Sequence, residues 1–159
     1  MRLTLVDLVV GALALALLAT VLWRWSHSGV GGPVLLPSPT LTPGALNPDV
    51  TQETIRTTIC VRGWTRTVRP PSSYTSALKE EQLRRFDLRG PPSAYQEDHL
   101  ISLELGGSPS DQRNLWPQPY PRAAEVDRIE NQLNARVCAG KLSLAEAQRR
   151  EAVLKHEHG

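Results

Sequence analysis

The hydrophobic pattern divides the chain into three parts. From Leu3 to Trp23 the sequence "LTLVDLVVGALALALLATVLW" is apolar almost throughout, with Asp7 its one charge. A helix of about twenty such residues is long enough to cross a bilayer. Residues 1–25 are therefore expected to be a transmembrane anchor or, if cleaved, an export signal; "ALLAT" supplies small residues, but no A-x-A site follows. Trp23, Arg24 and Trp25 suit an interfacial collar. Residues 26–48 turn to Ser, Gly, Pro and Thr, a composition that buries little and reads as a linker. A domain over 49–159 remains, with room for one modest core.

Within that domain the pattern predicts a short helix from Asp49 to Cys60 and an extended or looped "CVRGWTRTVRPP". A second helix is expected from Ser76 to about Phe86. Leu100, Ile101, Leu103 and Leu105 then flank Ser102 and Glu104, and Gly106-Gly107 permits a tight turn, which together predict a β-hairpin with a long loop. Val126, Ile129, Leu133 and Val137 recur at spacings of three and four, the stripe of an amphipathic helix. Gly140 stands where its C-cap belongs, and Ser143 with Glu146 opens another helix. The expected order is strand, loop, strand, helix, helix.

The 159 residues carry a net charge of +2, too little to name a partner. Its distribution says more. Residues 56–89 hold eight Arg or Lys against three acids, whereas 97–130 hold seven acids against Arg113, Arg122 and Arg128. A basic segment beside an acidic one suits a polyanion grip next to a cation site, although mixed solvated surface reads the same way. Cys60 and Cys138 form no C-x-x-C motif, so a zinc ribbon is not encoded. In an exported domain the pair is expected to be a disulfide, with two buried thiols as the other reading.

The chemistry concentrates in "QEDHLISLELGGSPSDQRNLWPQ", residues 96–118. Phosphodiester hydrolysis needs a water, a base to take its proton, and a cation to stabilise the charge that develops on phosphate. His99 is a base suited to neutral pH, and Asp98 offers oxygen to a hard cation. Neighbouring strand residues face opposite sides, so both serve one site only if the strand ends or twists there. Asp127, Glu130, Asn131 and Asn134 share a polar flank of the helix that follows, read either as a ligand set or as solvated surface.

"DHLISLELGG" followed by "DQRNLWPQ" resembles the HNH endonuclease superfamily, the ββα-metal nucleases, over about residues 96–138, and the stretch from Cys60 onward is similar to small bacterial HNH-signature proteins. The resemblance implies an α+β fold with a small ββα-metal core, here with flanking helices behind the N-terminal transmembrane helix. It implies a metal-dependent endonuclease that cuts DNA, or RNA, with His99 as general base and Asn114 as the residue that braces the loop and orients the histidine. Asp98 becomes a metal ligand. The remaining ligand falls to Asp127 or Glu130, with Asn131 behind them, because no histidine occurs between His99 and His156. Such carboxylates imply Mg2+ or Mn2+. His156 and His158 are expected to fray at the end of the chain.

Arg62, Arg66, Arg69 and Arg113 are the expected phosphate contacts, DNA before RNA, with Trp64 fitting either base stacking or the core. The partners are thus nucleic acid and, through the N-terminal helix, a membrane, with the domain outside the cytoplasm, or secreted after cleavage. The rival function is a catalytically inactive ββα-type envelope module that binds nucleic acid or a protein.

Overall fold

A computed structural model describes residues 16, 17, 19, 20 and 35–159. Residues 35–159 form one compact unit. Part of the expected linker belongs to it. Leu46 bridges to Gly107, Gly44 N–H donates to the Arg113 carbonyl (2.9 Å) and Asn47 N–H to that of Gly106 (2.9 Å).

Residues 49–60 are a succession of turns, not the expected helix. The threonines account for this. Thr54 Oγ1 donates to the Asp49 carbonyl (2.8 Å), accepts from Thr51 N–H (2.8 Å), and Thr58 Oγ1 donates to the Thr54 carbonyl (2.8 Å). Such hydroxyls offer the backbone an alternative to the helical ladder. Helix α1, Trp64–Val68, follows Gly63 at φ 85° and ends before Pro70-Pro71, replacing part of the extended segment expected there. Helix α2, Ser72–Arg85, starts directly after Pro71 and buries Leu78, Gln82 and Leu83.

Strands β1, Tyr95–His99, and β2, Leu115–Pro119, pair antiparallel with Asp98 opposite Trp116 and His99 opposite Leu115. Helix α2 docks on this pair through Gln82 Nε2, which donates to the Leu115 carbonyl (3.1 Å), and Lys79 Nζ, which donates to that of Tyr95 (2.9 Å). The strand expected over Leu100–Leu105 is not one: β1 stops at His99, and Leu103–Leu105 is a 3-10 turn. Leu100, Ile101, Leu103 and Leu105 are all buried, which a strand with alternating faces does not achieve against a single core. At Gly107 a Cβ would lie 1.8 Å from the Ile101 carbonyl oxygen, so only glycine lets the loop close.

Helix α3, Tyr120–Cys138, buries Val126, Leu133 and Val137 of the predicted stripe and Ala123 besides, with Ile129 partly buried. Gly140, at φ 69°, ends the turn after it, with Lys141 N–H reaching back to the Arg136 carbonyl (2.8 Å). Helix α4, Leu144–His158, is capped by Ser143 Oγ, which accepts from Glu146 N–H (3.3 Å). The core gathers Val50, Ile55 and Ile59 from the turns, Ile101 and Leu105 from the loop, and Leu133, Val137, Leu144 and Ala147 from α3 and α4. The Cys60–Cys138 disulfide joins the turn region to the end of α3, with Cα atoms 5.5 Å apart.

The expected fold class is corrected on one decisive point. The described residues form a mixed fold of helices and a single two-stranded sheet, and no helix among them is long and apolar enough to cross a membrane. The α+β ββα-metal core behind a transmembrane helix is therefore not the fold class of these residues. The span read over Leu3–Trp23 lies, apart from residues 16, 17, 19 and 20, outside them.

Candidate functional site

Residues 100–114 fold back on themselves between the strands, and Asn114 is the reason they stay there. Its Oδ1 accepts from Ile101 N–H (2.8 Å), while Nδ2 donates to the carbonyls of Ile101 and Ser108 (both 2.9 Å). Asn114 is fully buried, and it satisfies two buried backbone groups of Ile101 and the part-buried Ser108 carbonyl. Helices α3 and α4 satisfy others. Asn134 Nδ2 donates to the Glu104 carbonyl (2.7 Å), Gln148 Nε2 to that of Leu105 (2.9 Å), and Glu151 Oε1 accepts from Ser102 N–H (3.0 Å).

The braced loop presents the Pro109 carbonyl to His99, 3.0 Å from Nε2. A carbonyl only accepts, so Nε2 carries the proton and the neutral ring keeps its lone pair on Nδ1. Burial holds the His99 pKa below its ordinary value; the Pro109 carbonyl and Asp98 pull it upward, and Arg69 and Lys155 reinforce the depression. A neutral imidazole with a fixed tautomer can take a proton from water. The ring is also enclosed, with the residue only 4% exposed.

Asp98 turns to a different partner. Its Oδ2 accepts from Lys155 Nζ (2.9 Å), and the same ammonium donates to the His99 carbonyl. Glu130 Oε1 lies 2.6 Å from Nζ, an ion pair off the line of a well-formed hydrogen bond, and Glu151 Oε1 lies 3.6 Å away. Lys155 is fully buried. Burial alone would lower its pKa, but Asp98, Glu130 and Glu151 more than offset that and hold it charged. Burial raises the pKa values of Glu130 and Glu151 against the pull of Lys155. Asp127 is raised by burial and by Asp98, and Glu104 by burial and by Asp127. Glu97 is pushed up to about 8, chiefly by burial, and both its oxygens are enclosed without a partner.

The structure thus brings Asp98, His99, Asp127 and Glu130 into one electrostatic neighbourhood. Arg69 joins it from the end of α1, since its charge acts on His99, Glu104 and Asp127. The other expected phosphate contacts do not converge. Arg113 pairs with Asp111 at the surface (2.6 Å), Arg66 folds against Gly63, and Arg62 lines a separate hollow of about 270 Å³ with Trp64, Glu104 and Asn134. Asn131 Nδ2 bonds back to the Asp127 carbonyl (2.7 Å), and His156 Nε2 lies 3.0 Å from the Thr42 carbonyl, away from the carboxylates.

Lys155 and Glu151 were not anticipated, although a signal existed. Leu144, Ala147, Glu151 and Lys155 continue one buried face of α4 at spacings of three and four, and charges on an apolar stripe need partners. Their presence bears directly on the expected metal. The oxygens of Asp98 and Glu130 are aimed at an ammonium, at ammonium distances. A divalent ion bound by the same two atoms on this side would sit about 3 Å from Nζ, where repulsion is on the order of 10 kcal/mol at an effective dielectric of about 20. Among the described residues no group of three or more His, Cys, Asp or Glu side chains is placed to hold a metal ion. With Lys155 in place, Asp98 Oδ2 and Glu130 Oε1, two of the expected ligand oxygens, are paired with an ammonium, whereas Asp127 has no ion pair with it.

Comparison with protein-family models, curated proteins and solved structures found no match to this chain.

Proposed function

We propose that the chain is a phosphodiester hydrolase acting on nucleic acid, DNA before RNA, with the histidine base but not the metal step of the HNH endonucleases its sequence resembles. One observation carries the reading: His99 is held by the Pro109 carbonyl in the tautomer a general base requires, on a loop pinned by the buried Asn114. In this reading Nδ1 of His99 takes a proton from water as the new oxygen–phosphorus bond forms. Arg69, whose charge acts on His99, stabilises the phosphate as the leaving oxygen departs. No step is routed through a metal, because Lys155 pairs with Asp98 and Glu130, two of the three carboxylates expected to bind one. The Cys60–Cys138 bond favours an oxidising compartment.

A second reading, a catalytically silent module that binds nucleic acid or a protein, is favoured by the enclosure of His99. The purified chain, incubated with plasmid and single-stranded substrates in Mg2+, Mn2+ or EDTA, separates the two. Hydrolysis lost in His99→Ala supports the first. Hydrolysis equal in His99→Ala and the parent refutes His99 as base, and a folded protein inert under every condition supports the second.

A further inference from the structure

The Lys155 ammonium stands where a cluster of oxygens would otherwise require a cation. Asp98 Oδ2, Glu130 Oε1 and Glu151 Oε1 converge on Nζ at 2.9, 2.6 and 3.6 Å, and the His99 carbonyl accepts from it as well. An ammonium has three N–H groups and no more. Two of those on Lys155 are given to Asp98 and the His99 carbonyl, and Glu130 and Glu151 crowd the ammonium as ion pairs. The side chains of Lys155 and Glu151 are fully buried and those of Asp98 and Glu130 keep only 16% and 12% exposure, which makes an uncompensated negative cluster costly. Glu151 Oε1 also accepts from Ser102 N–H (3.0 Å), while its Oε2 is enclosed without a hydrogen-bond partner.

We infer that Asp98, Glu130 and Glu151 form a cation site whose resident occupant is the Lys155 ammonium, so that the native chain takes up no divalent cation there, and a chain with Lys155 cut back to alanine binds one. The inference concerns cation binding and stands whether or not the chain hydrolyses nucleic acid. The donors are oxygen alone, three carboxylates and a carbonyl, which selects hard ions such as Mg2+, Mn2+ or Ca2+ over zinc. Alanine removes the ammonium together with most of the stem that carries it, opening room for an ion and the waters that hard ions retain. Methionine removes the charge but keeps the bulk, and should not create the site.

The test is Mn2+ binding to the full chain, read from the electron paramagnetic resonance signal of the free ion and from the shift in thermal midpoint. The native chain is expected to show no site, and Lys155→Ala one site at least about tenfold tighter than any native uptake, with a rise in midpoint on adding Mn2+. Lys155→Met should stay without a site, and Asp98→Asn added to Lys155→Ala should abolish it. A native chain that binds one Mn2+ and loses it in Asp98→Asn overturns the inference, as does a folded Lys155→Ala that binds no better than the native chain. If Lys155→Ala folds only in Mn2+, that supports it. Should that variant not fold under either condition, the native measurement decides: no site supports the inference, and a site dependent on Asp98 refutes it.

Discussion

Asn114→Ala should destabilise the protein far more than an ordinary loop substitution. The native side chain meets Ile101 N–H, the Ile101 carbonyl and the Ser108 carbonyl at 2.8 to 2.9 Å in a place with no exposure. Stripping a partner from a buried polar group costs about 1 to 3 kcal/mol. Three groups lose theirs at once, and water entering the space alanine leaves moderates each cost, so the expected loss is about 3 to 5 kcal/mol. That is a large part of the 5 to 15 kcal/mol that roughly bounds a domain's stability. Asn114→Asp is the sharper control, since it keeps an acceptor for Ile101 N–H but turns a carboxylate toward two carbonyl oxygens. It should be as damaging near neutral pH and should recover in part when protonated. The assay is urea unfolding followed by tryptophan fluorescence, for which the buried Trp116 is a reporter. A second readout is the His99 titration by NMR: a loosened loop releases the ring from burial, and its pKa should climb back toward the ordinary value. A loss below about 1 kcal/mol in Asn114→Ala would refute the bracing role, because no single one of the three bonds would then be worth its usual amount.

The remaining predictions concern other joints of the fold. Gly107→Ala places a methyl 1.8 Å from the Ile101 carbonyl oxygen and 2.7 Å from Asn114 Nδ2, and should cost about 3 kcal/mol or more in the same urea assay. Opening the Cys60–Cys138 disulfide, which spans 78 positions, should lower stability by about 4 to 5 kcal/mol in the chain-entropy model, and alkylation without reductant should leave the mass unchanged. Glu97 has a folded pKa of about 8 against an unfolded value of 4.5, so the native state binds the proton more tightly. Its contribution is fully present below the unfolded value and is lost as pH rises through the folded one. Urea midpoints should therefore fall between about pH 5 and 8, and Glu97→Gln should flatten that fall and exceed the native protein at the alkaline end.

How much of this could be read from the sequence depended on whether a signal was local. Helix α3 was legible because Val126, Leu133 and Val137 repeat at the helical period and Gly140 ends it; α4 was legible at its start because Ser143 and Glu146 form their own cap. Residues 49–60 misled because their threonines spend hydroxyls on nearby carbonyls, a competition that composition and spacing do not reveal. Residues 100–105 misled in the opposite sense, since apolar residues beside Gly-Gly suit a hairpin, yet the loop is held by Asn114 just before β2 and by side chains from α3 and α4 that lie far along the chain.

The site divides along the same line. Asp98, His99 and Asn114 sit in one short stretch and could be picked out together, and Asn114 does pin the loop that fixes His99. The cation of the site came instead from Lys155, beside a chain end that reads as frayed. The sign that it was not frayed lay in register: Glu151 and Lys155 fall in line with Leu144 and Ala147 on the buried face of α4. Two opposite charges four residues apart in an apolar stripe cannot both be left unpaired in a core, and Lys155 meets Asp98 and Glu130 as well as Glu151 there. Of the seven acids in residues 97–130, Asp98 and Glu130 are thus paired from within the chain, by an ammonium supplied from α4.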